Sequence, residues 1–393
     1  MNRRKLLKSG LIGLGAFTGL PYLGLGAFPG QALELDEEGR IHRSPLVKEY
    51  IPELPDGYEQ PPVLLARLNA NENPYGPPKS AQKAVAEAVV HGNRYAWREL
   101  FDLVDRLAQR EGLTKEHIMT GPGSSDLLEK VALLSFMKGG NIVSADPTYM
   151  SLINVAQAVG AQWKAVPCRA DWSHDLAAME AAIDSNTKLV YICNPNNPTG
   201  AVTNAKELYD FCSRVSAKVP VFIDEAYLEL AEGATTSMAP LLKEGKNVII
   251  ARTFSKIMGL AGIRVGYIAA QPAYVKNIES ITRGGMGISY PSIFAANACL
   301  DDLSFQQLSK EKNKAVKTWV CGELDKLGYK YIPSYTNFLL FPIKMKGRDF
   351  LDAMNAKGVG VRAFEIQGST WCRVSMGTME EMKLFAATLQ TLS

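Results

Sequence analysis

Cysteine is scarce in this chain: six thiols in 393 residues, at 168, 193, 212, 299, 321 and 372, with no Cys-x-x-Cys pair among them. That excludes a disulfide-dense scaffold and leaves single buried thiols as the ordinary reading, with no metal expected. An excess of either charge is missing too. The formal net charge is +3, and Arg3, Arg4, Lys5 and Lys8 supply four positive charges within an N-terminal stretch of 32 residues that holds no acid; taking those four away leaves −1. Such a balance gives no electrostatic reason to expect nucleic acid as a partner. Internal repeats and low-complexity tracts are absent as well. With 47% hydrophobic against 21% charged residues, the chain is neither disordered nor fibrous, and it is long enough for two or three packed domains.

The N-terminus is informative. Asn2-Arg3-Arg4-Lys5-Leu6-Leu7-Lys8 is followed by a weakly apolar run from Gly10 to Phe28 that carries six glycines and Pro21. A short basic stretch before such a run reads as an export signal, and the paired arginines resemble the twin-arginine type that moves folded proteins across a bacterial inner membrane. Small residues in Gly30-Gln31-Ala32 suit cleavage after Ala32. The expectation is a periplasmic protein delivered by the Tat export machinery, with no lasting membrane association once the signal is cut. An uncleaved anchor is the alternative.

From Leu33 to about Pro62 the chain is irregular and spaced by prolines, which suggests an arm. Beyond it, the strand-like runs Asn141–Ala145, Lys188–Cys193, Val219–Ile223, Asn247–Arg252 and Ile263–Ala270 alternate with helical stretches. That alternation predicts an α/β fold with a doubly covered, mostly parallel sheet. Near Gly284 the pattern changes: 291–327 reads as one long helix or two, with Leu300, Leu303 and Leu308 on its apolar side, followed by short strands at Phe338–Phe341, Val359–Val361 and Cys372–Met376. The expected division is a signal over 1–32, an arm over 33–74, a large domain over 75–283 and a small α+β domain over 284–393.

Five segments fall where an open α/β sheet places its ligand. Gly121-Pro122-Gly123-Ser124-Ser125 leads into a helical run, and a glycine turn opening a helix presents free N–H groups and a positive dipole end to a phosphate. An ordinary cap formed by either serine would look the same. Asn194-Pro195-Asn196-Asn197-Pro198-Thr199-Gly200 makes a tight turn whose amides can aim a donor at a ligand oxygen. Asp224 and Tyr227, in Ile223-Asp224-Glu225-Ala226-Tyr227, close an apolar strand, where an acid is costly unless it meets a cation. Lys256, in Arg252-Thr253-Phe254-Ser255-Lys256, follows another apolar strand and is flanked by hydroxyls and glycines, a setting that suits an amine nucleophile. Arg373, in Cys372-Arg373-Val374-Ser375-Met376-Gly377, is either a fork for a carboxylate or a charge on an edge.

Together with Leu68-Asn69-Ala70-Asn71-Glu72-Asn73-Pro74-Tyr75-Gly76-Pro77, these motifs resemble the histidinol-phosphate aminotransferase branch of the class I/II pyridoxal-phosphate (PLP) enzymes, fold type I, in unchanged order from about Leu65 to the C-terminus. The resemblance implies a large domain with a seven-stranded sheet and PLP as cofactor. It makes Lys256 the lysine that carries PLP and shuttles the substrate proton, and Asp224 the acid beside the pyridine nitrogen. Asn197 and Tyr227 become donors to the ring oxygen, and Tyr149 the aromatic stacked on the ring. Gly123, Ser124, Ser125, Ser255 and Arg264 form the phosphate cradle. Arg373 becomes the clamp on the substrate carboxylate, with Asn71 and Tyr75 near the substrate. A homodimer is implied, with Tyr95 reaching the partner's cofactor.

The chain departs from the branch on the substrate side: Tyr95 is followed by Ala96-Trp97, and Ser125 stands where an acid is usual. Trp97, Tyr75 and Tyr290 are the candidates for selectivity. The expected activity is transfer of an amino group between an amino acid or related amine and a 2-oxo acid. A decarboxylase or racemase of the same fold is the first alternative, because the bond that breaks depends on orientation. A non-catalytic PLP binder is the second.

Overall fold

The computed structural model describes residues 63–392 and the backbone of Val47–Tyr50. Residues 1–46, with the arginine pair and the expected cleavage site, and residues 51–62 lie outside the described residues. Two short strands come first, β1 (Val47–Tyr50) and β2 (Ala66–Arg67), followed by β3 (Ile118–Gly121), β4 (Asn141–Asp146), β5 (Gln162–Pro167), β6 (Thr187–Cys193), β7 (Val221–Asp224), β8 (Val248–Thr253) and β9 (Gly266–Ala270). Strands β3 to β9 form one seven-stranded sheet in the order β3-β9-β8-β7-β6-β4-β5. Every neighbouring pair from β8 through β5 is parallel; β9 runs antiparallel to both β8 and β3.

The apolar strand sequences follow from burial on both faces. Val221 and Ile223 of β7 point into one core with Leu103, Leu107 and Phe211, while Phe222 between them points into another with Leu128, Val131 and Phe136. A strand covered on both sides needs no alternation, so it reads as a continuous apolar run. Edge strand β5 is mostly exposed or half-buried and carries Gln162 and Lys164, which is why no such run marks it. The last predicted strand begins at Gly266 rather than Ile263, because Arg264 takes a left-handed backbone (φ 61°) that extended pairing does not allow.

The second sheet contains β10 (Phe338–Pro342), β12 (Arg362–Ile366) and β13 (Ser369–Ser375), with β1 added antiparallel along β12. Strand β11 (Val359–Gly360) pairs instead with β2 of the arm. The segment read as irregular therefore contains a strand. Its pairing partner lies more than 300 residues away, at 363–366, and no local pattern announces it.

The stretch 291–327 forms two helices, Tyr290–Asp301 and Leu303–Lys326, separated at Asp302, whose carboxylate accepts from the Phe305 N–H and caps the second. That break resets the helical phase. Leu303 and Leu308, expected on the apolar side, are exposed at 67% and 44%, and Val316, Val320 and Leu324 face the core of the smaller sheet instead. The first helix sends Ile293, Ala295, Ala296 and Cys299 into a core of the large sheet. All six cysteines are free thiols.

Candidate active site

Parallel strands present all their C-terminal ends on one side of a sheet, and loops gather there. In this protein the loops after β4, β6, β7 and β8 line a cavity of about 570 Å³, which Ala70, Asn71 and Glu72 of the arm, Arg362 and Phe364 of β12 and Arg373 of β13 complete. It brings together Ser124, Ser125, Tyr149, Asn197, Asp224, Tyr227, Ser255, Lys256, Arg264, Arg373 and Asn71, eleven of the residues expected from sequence.

One part of the cavity is rich in donors. The helix Ser124–Phe136 starts directly after Gly123, which occupies the cap position at φ 86°. Neither serine serves as the cap; the Ser125 hydroxyl meets the Tyr149 hydroxyl at 3.4 Å, and the first-turn amides have no acceptor within the helix. Close packing sets this corner. A Cβ on Gly266, the partner of Thr253 across β8 and β9, would lie 2.5 Å from the Ser124 nitrogen, and one on Gly123 would collide with the Arg264 guanidinium. Arg264 donates to the carbonyls of Ala261 (2.9 Å) and Pro122 (3.1 Å), which fixes its charge beside the helix start. Thr253 and Ser255 add two hydroxyls 3.0 Å apart. A guanidinium held in place, four hydroxyls and a helix N-terminus suit a dianion.

Asp224 ends β7, 3% exposed. It accepts from the Ala226 N–H at 3.1 Å and from the Tyr191 hydroxyl at 3.4 Å. Burial pushes its carboxyl up to about 6, opposed by the Ala226 amide, the charge of Lys256 and the Tyr191 hydroxyl. Lys256 lies just past β8 and donates to the Asn71 carbonyl at 3.0 Å. Burial, and then the charge of Arg373, pull its amine down to about 8. The acid and the amine therefore share one cavity, and each moves the other's titration.

Orientation of the other side chains is set by hydrogen bonds. Arg373 donates to the Asn197 side-chain oxygen (2.6 Å), which leaves the Asn197 NH₂ as donor to the cavity. Asn71 donates to the Tyr227 oxygen (3.0 Å), so the Tyr227 proton points elsewhere. Asn71 itself is buried with a left-handed backbone (φ 52°) and is held by Ser375, whose hydroxyl accepts from its N–H at 2.8 Å and donates to its side chain at 2.7 Å. Asn337 donates to the Asn71 carbonyl at 3.0 Å.

Five expected residues, Gly123, Tyr75, Tyr95, Trp97 and Tyr290, stand apart from this cavity. Gly123 acts through backbone shape. Tyr75 lines a small neighbouring cavity that also touches Lys256. Tyr95, 82% exposed, lines a different cavity of about 480 Å³ together with Tyr290, and Trp97 is 54% exposed at the surface. Within a single chain neither Tyr95 nor Trp97 reaches Lys256. Sequence reasoning missed Glu72, Arg362, Phe364, Asn337 and Ser375 as site residues. Arg362 and Phe364 alternate along β12, a pattern visible in Val361-Arg362-Ala363-Phe364 once the strand is extended past Val361.

Among the described residues no group of His, Cys, Asp and Glu is placed to hold a metal ion. The groups present fit PLP instead: a donor-rich corner for its phosphate, a buried acid for its ring nitrogen, an amine for its carbonyl carbon and the aromatic ring of Tyr149. A mostly parallel seven-stranded sheet with this lysine and acid at its strand ends defines the PLP-dependent transferases of fold type I.

The family Aminotransferase class I and II matches residues 65–389. A histidinol-phosphate aminotransferase of Moorella thermoacetica is 36% identical over 83% of this chain and 85% of its own. Histidinol-phosphate aminotransferase 2 of Pseudomonas fluorescens is 34% identical over 92% and 98%. The crystal structure of histidinol-phosphate aminotransferase from Sinorhizobium meliloti in complex with pyridoxal-5'-phosphate superposes with a TM-score of 0.77 at 28% identity, covering 84% of this chain and 92% of that one. The chain belongs to the class I and II aminotransferase family and is a PLP-dependent aminotransferase.

Proposed function

We propose that the enzyme moves the amino group of an amino acid or related amine bearing a carboxylate or phosphate, such as histidinol phosphate, to a 2-oxo acid. The observation that carries this reading is the pair of guanidiniums, Arg362 and Arg373, on the cavity wall formed by β12 and β13. Arg373 is 6% exposed, bonded to Asn197 and stacked near the rings of Phe338 and Phe364 at 5.3 and 5.5 Å, so its fork is fixed before an anion arrives. Arg362 donates through Nε to the Asn69 carbonyl (2.8 Å), which orients the second fork from the arm. The named substrate of the curated relatives is a phosphorylated amino alcohol, which two arginines suit as well as they suit a dicarboxylate.

Bound PLP supplies an electron sink for negative charge at the substrate Cα. The residues of the chain supply the rest. Asp224 offers a carboxylate that favours a cation at the ring nitrogen, while Asn197 and Tyr227 orient donors toward the ring oxygen. An amine that titrates near 8 holds and releases a proton at neutral pH, so Lys256 is suited to take one from the substrate and return it. Arg373 and Arg362 hold the substrate anion and so decide which Cα bond faces the ring.

A panel of amino donors, histidinol phosphate included, tests the reading through the change in the cofactor's visible spectrum and product identity. A 2-oxo product with at least one anionic donor supports it. Release of carbon dioxide or of the D-isomer would replace transfer by decarboxylation or racemisation.

The same reading includes a homodimer and export. Aminotransferases of this family are typically dimers, and Tyr95 with the exposed Val89, Val90 and Phe101 offers apolar surface for a second copy. Arg3-Arg4 and the weak apolar run after them support passage through the Tat machinery to the periplasm, which carries proteins already folded around a small cytosolic cofactor. Mass spectrometry of the native protein checks this: a mature N-terminus at Leu33 agrees, and Met1 retained on membrane-bound protein does not.

A further inference from the structure

One buried cation lies outside the cavity and close behind it. Arg252 of β8 is 9% exposed and meets three carboxylates: Glu225 through Nε at 3.0 Å, Glu229 through Nη1 at 3.2 Å and Glu111 through Nη2 at 3.8 Å. Glu225 directly follows Asp224, and Glu225 and Glu229 stand two residues to either side of Tyr227. Lys256 comes four residues after Arg252. We propose that Arg252 is a positioning residue for the cofactor site, its guanidinium tying the loop that carries Asp224 and Tyr227 to the strand that runs into Lys256.

The surroundings support a bracket rather than a simple charge pair. The Glu225 carboxylate also accepts from the Met238 N–H (2.7 Å) and the Ser237 hydroxyl (2.8 Å), and its own N–H donates to the Ala251 carbonyl (3.0 Å). Glu111, at the end of the helix Trp97–Glu111, accepts from the Tyr267 hydroxyl of β9 at 2.5 Å. Arg110 adds a second cation 3.6 Å from Glu229. The loop after β7 and the end of the helix Trp97–Glu111 thus meet at one planar fork, and β9 reaches it through Glu111. Stability alone is weak grounds for such a cluster, since apolar packing in place of buried ion pairs is often neutral or better. A rigid fork does what packing does not: it sets the spacing between two loops.

The proposal rests on the reading above, in which Asp224 and Lys256 both contact the cofactor. Arg252→Lys keeps the charge and loses the fork. In the holoenzyme the PLP dissociation constant should rise about tenfold and kcat fall about tenfold, the scale seen when groups supporting a bound centre are altered. KM for the donor should change less than about twofold, because Arg373 sits on a different sheet. The pH at which the bound cofactor's visible absorption changes should also move. An unmoved spectral midpoint and unchanged PLP affinity would overturn the proposal even if the melting temperature fell, since the arginine would then only stabilise. If Arg252→Lys yields no soluble protein, Glu229→Gln removes a less buried partner and should move the same readouts in the same direction by a few-fold; no movement overturns it equally. Lys256→Ala, run in parallel, separates the two levels. A visible band that survives there takes down the cofactor reading as well, whereas a lost band beside an unchanged Arg252→Lys overturns the bracket alone.

Discussion

Asp224 and Glu225 are neighbours in the chain, both are buried, and burial raises the pKa of both, to about 6 and about 7. Their surroundings differ. Glu225 is enclosed by the Arg252 guanidinium, a backbone amide and a hydroxyl. Asp224 has one amide at 3.1 Å, a distant hydroxyl at 3.4 Å and a lysine in the same cavity that burial makes easier to discharge. A carboxylate that is buried and thinly partnered is expensive to ionise unless a cation arrives. Both acids are costly to ionise, and the contrast lies in what each faces: Glu225 meets partners of the chain itself, while Asp224 lines the cavity.

The largest test is Lys256→Ala, which should abolish the visible band of bound PLP and with it measurable transfer; a band at its original wavelength would mean that another amine holds the cofactor. Next, Asp224→Asn should lower turnover on the order of a thousandfold, the scale of a lost electrostatic contact to the reacting system, while Glu225→Gln should cost closer to tenfold. Equal losses in steady-state kinetics would erase the distinction between the two acids. Arg373→Ala should raise KM, lower kcat and cut kcat/KM about a hundredfold if, as proposed, Arg373 holds the substrate anion, and it also frees the Asn197 amide. A change confined to PLP affinity would move Arg373 from the substrate to the cofactor.

The smallest effect sharpens the comparison through stability. Asp224 ionises near 6 in the folded chain against an ordinary 3.8, so between those values the folded state binds more protons than the unfolded one. Its contribution to stability therefore falls as pH rises through that window and stays low above it. Asparagine has no such dependence. In the cofactor-free protein, the melting temperature of Asp224→Asn relative to the parent should climb from about pH 4 to about pH 6 and then level off. A flat difference across that range would place the Asp224 titration outside the window.

The cofactor wall is legible in the sequence because each of its parts is local. A glycine turn before a helix, an acid closing an apolar strand and a lysine after another are short patterns that a parallel sheet places at the same edge. The substrate wall is less legible. Arg362, Phe364, Asn337 and Ser375 come from strands and loops separated from Asn71 by more than 260 residues, and nothing in the local pattern of Thr336-Asn337-Phe338 marks an amide that holds the Asn71 carbonyl. The same limit explains β1, whose partner is β12, and the helix after Asp302, whose buried stripe shifts once a side chain caps it. Arg252 is a third case: its position in the lysine motif is plain, but its three carboxylates come from a helix end and a loop.

The order of residues alone determined the class of chemistry, because an amine, an acid and a phosphate-binding turn must each sit beside a particular strand or helix to exist at all. Folding in three dimensions decided how those groups titrate, which guanidiniums line the cavity and which lie outside it. Burial and distance between remote segments control those properties, and neither is written in neighbouring letters.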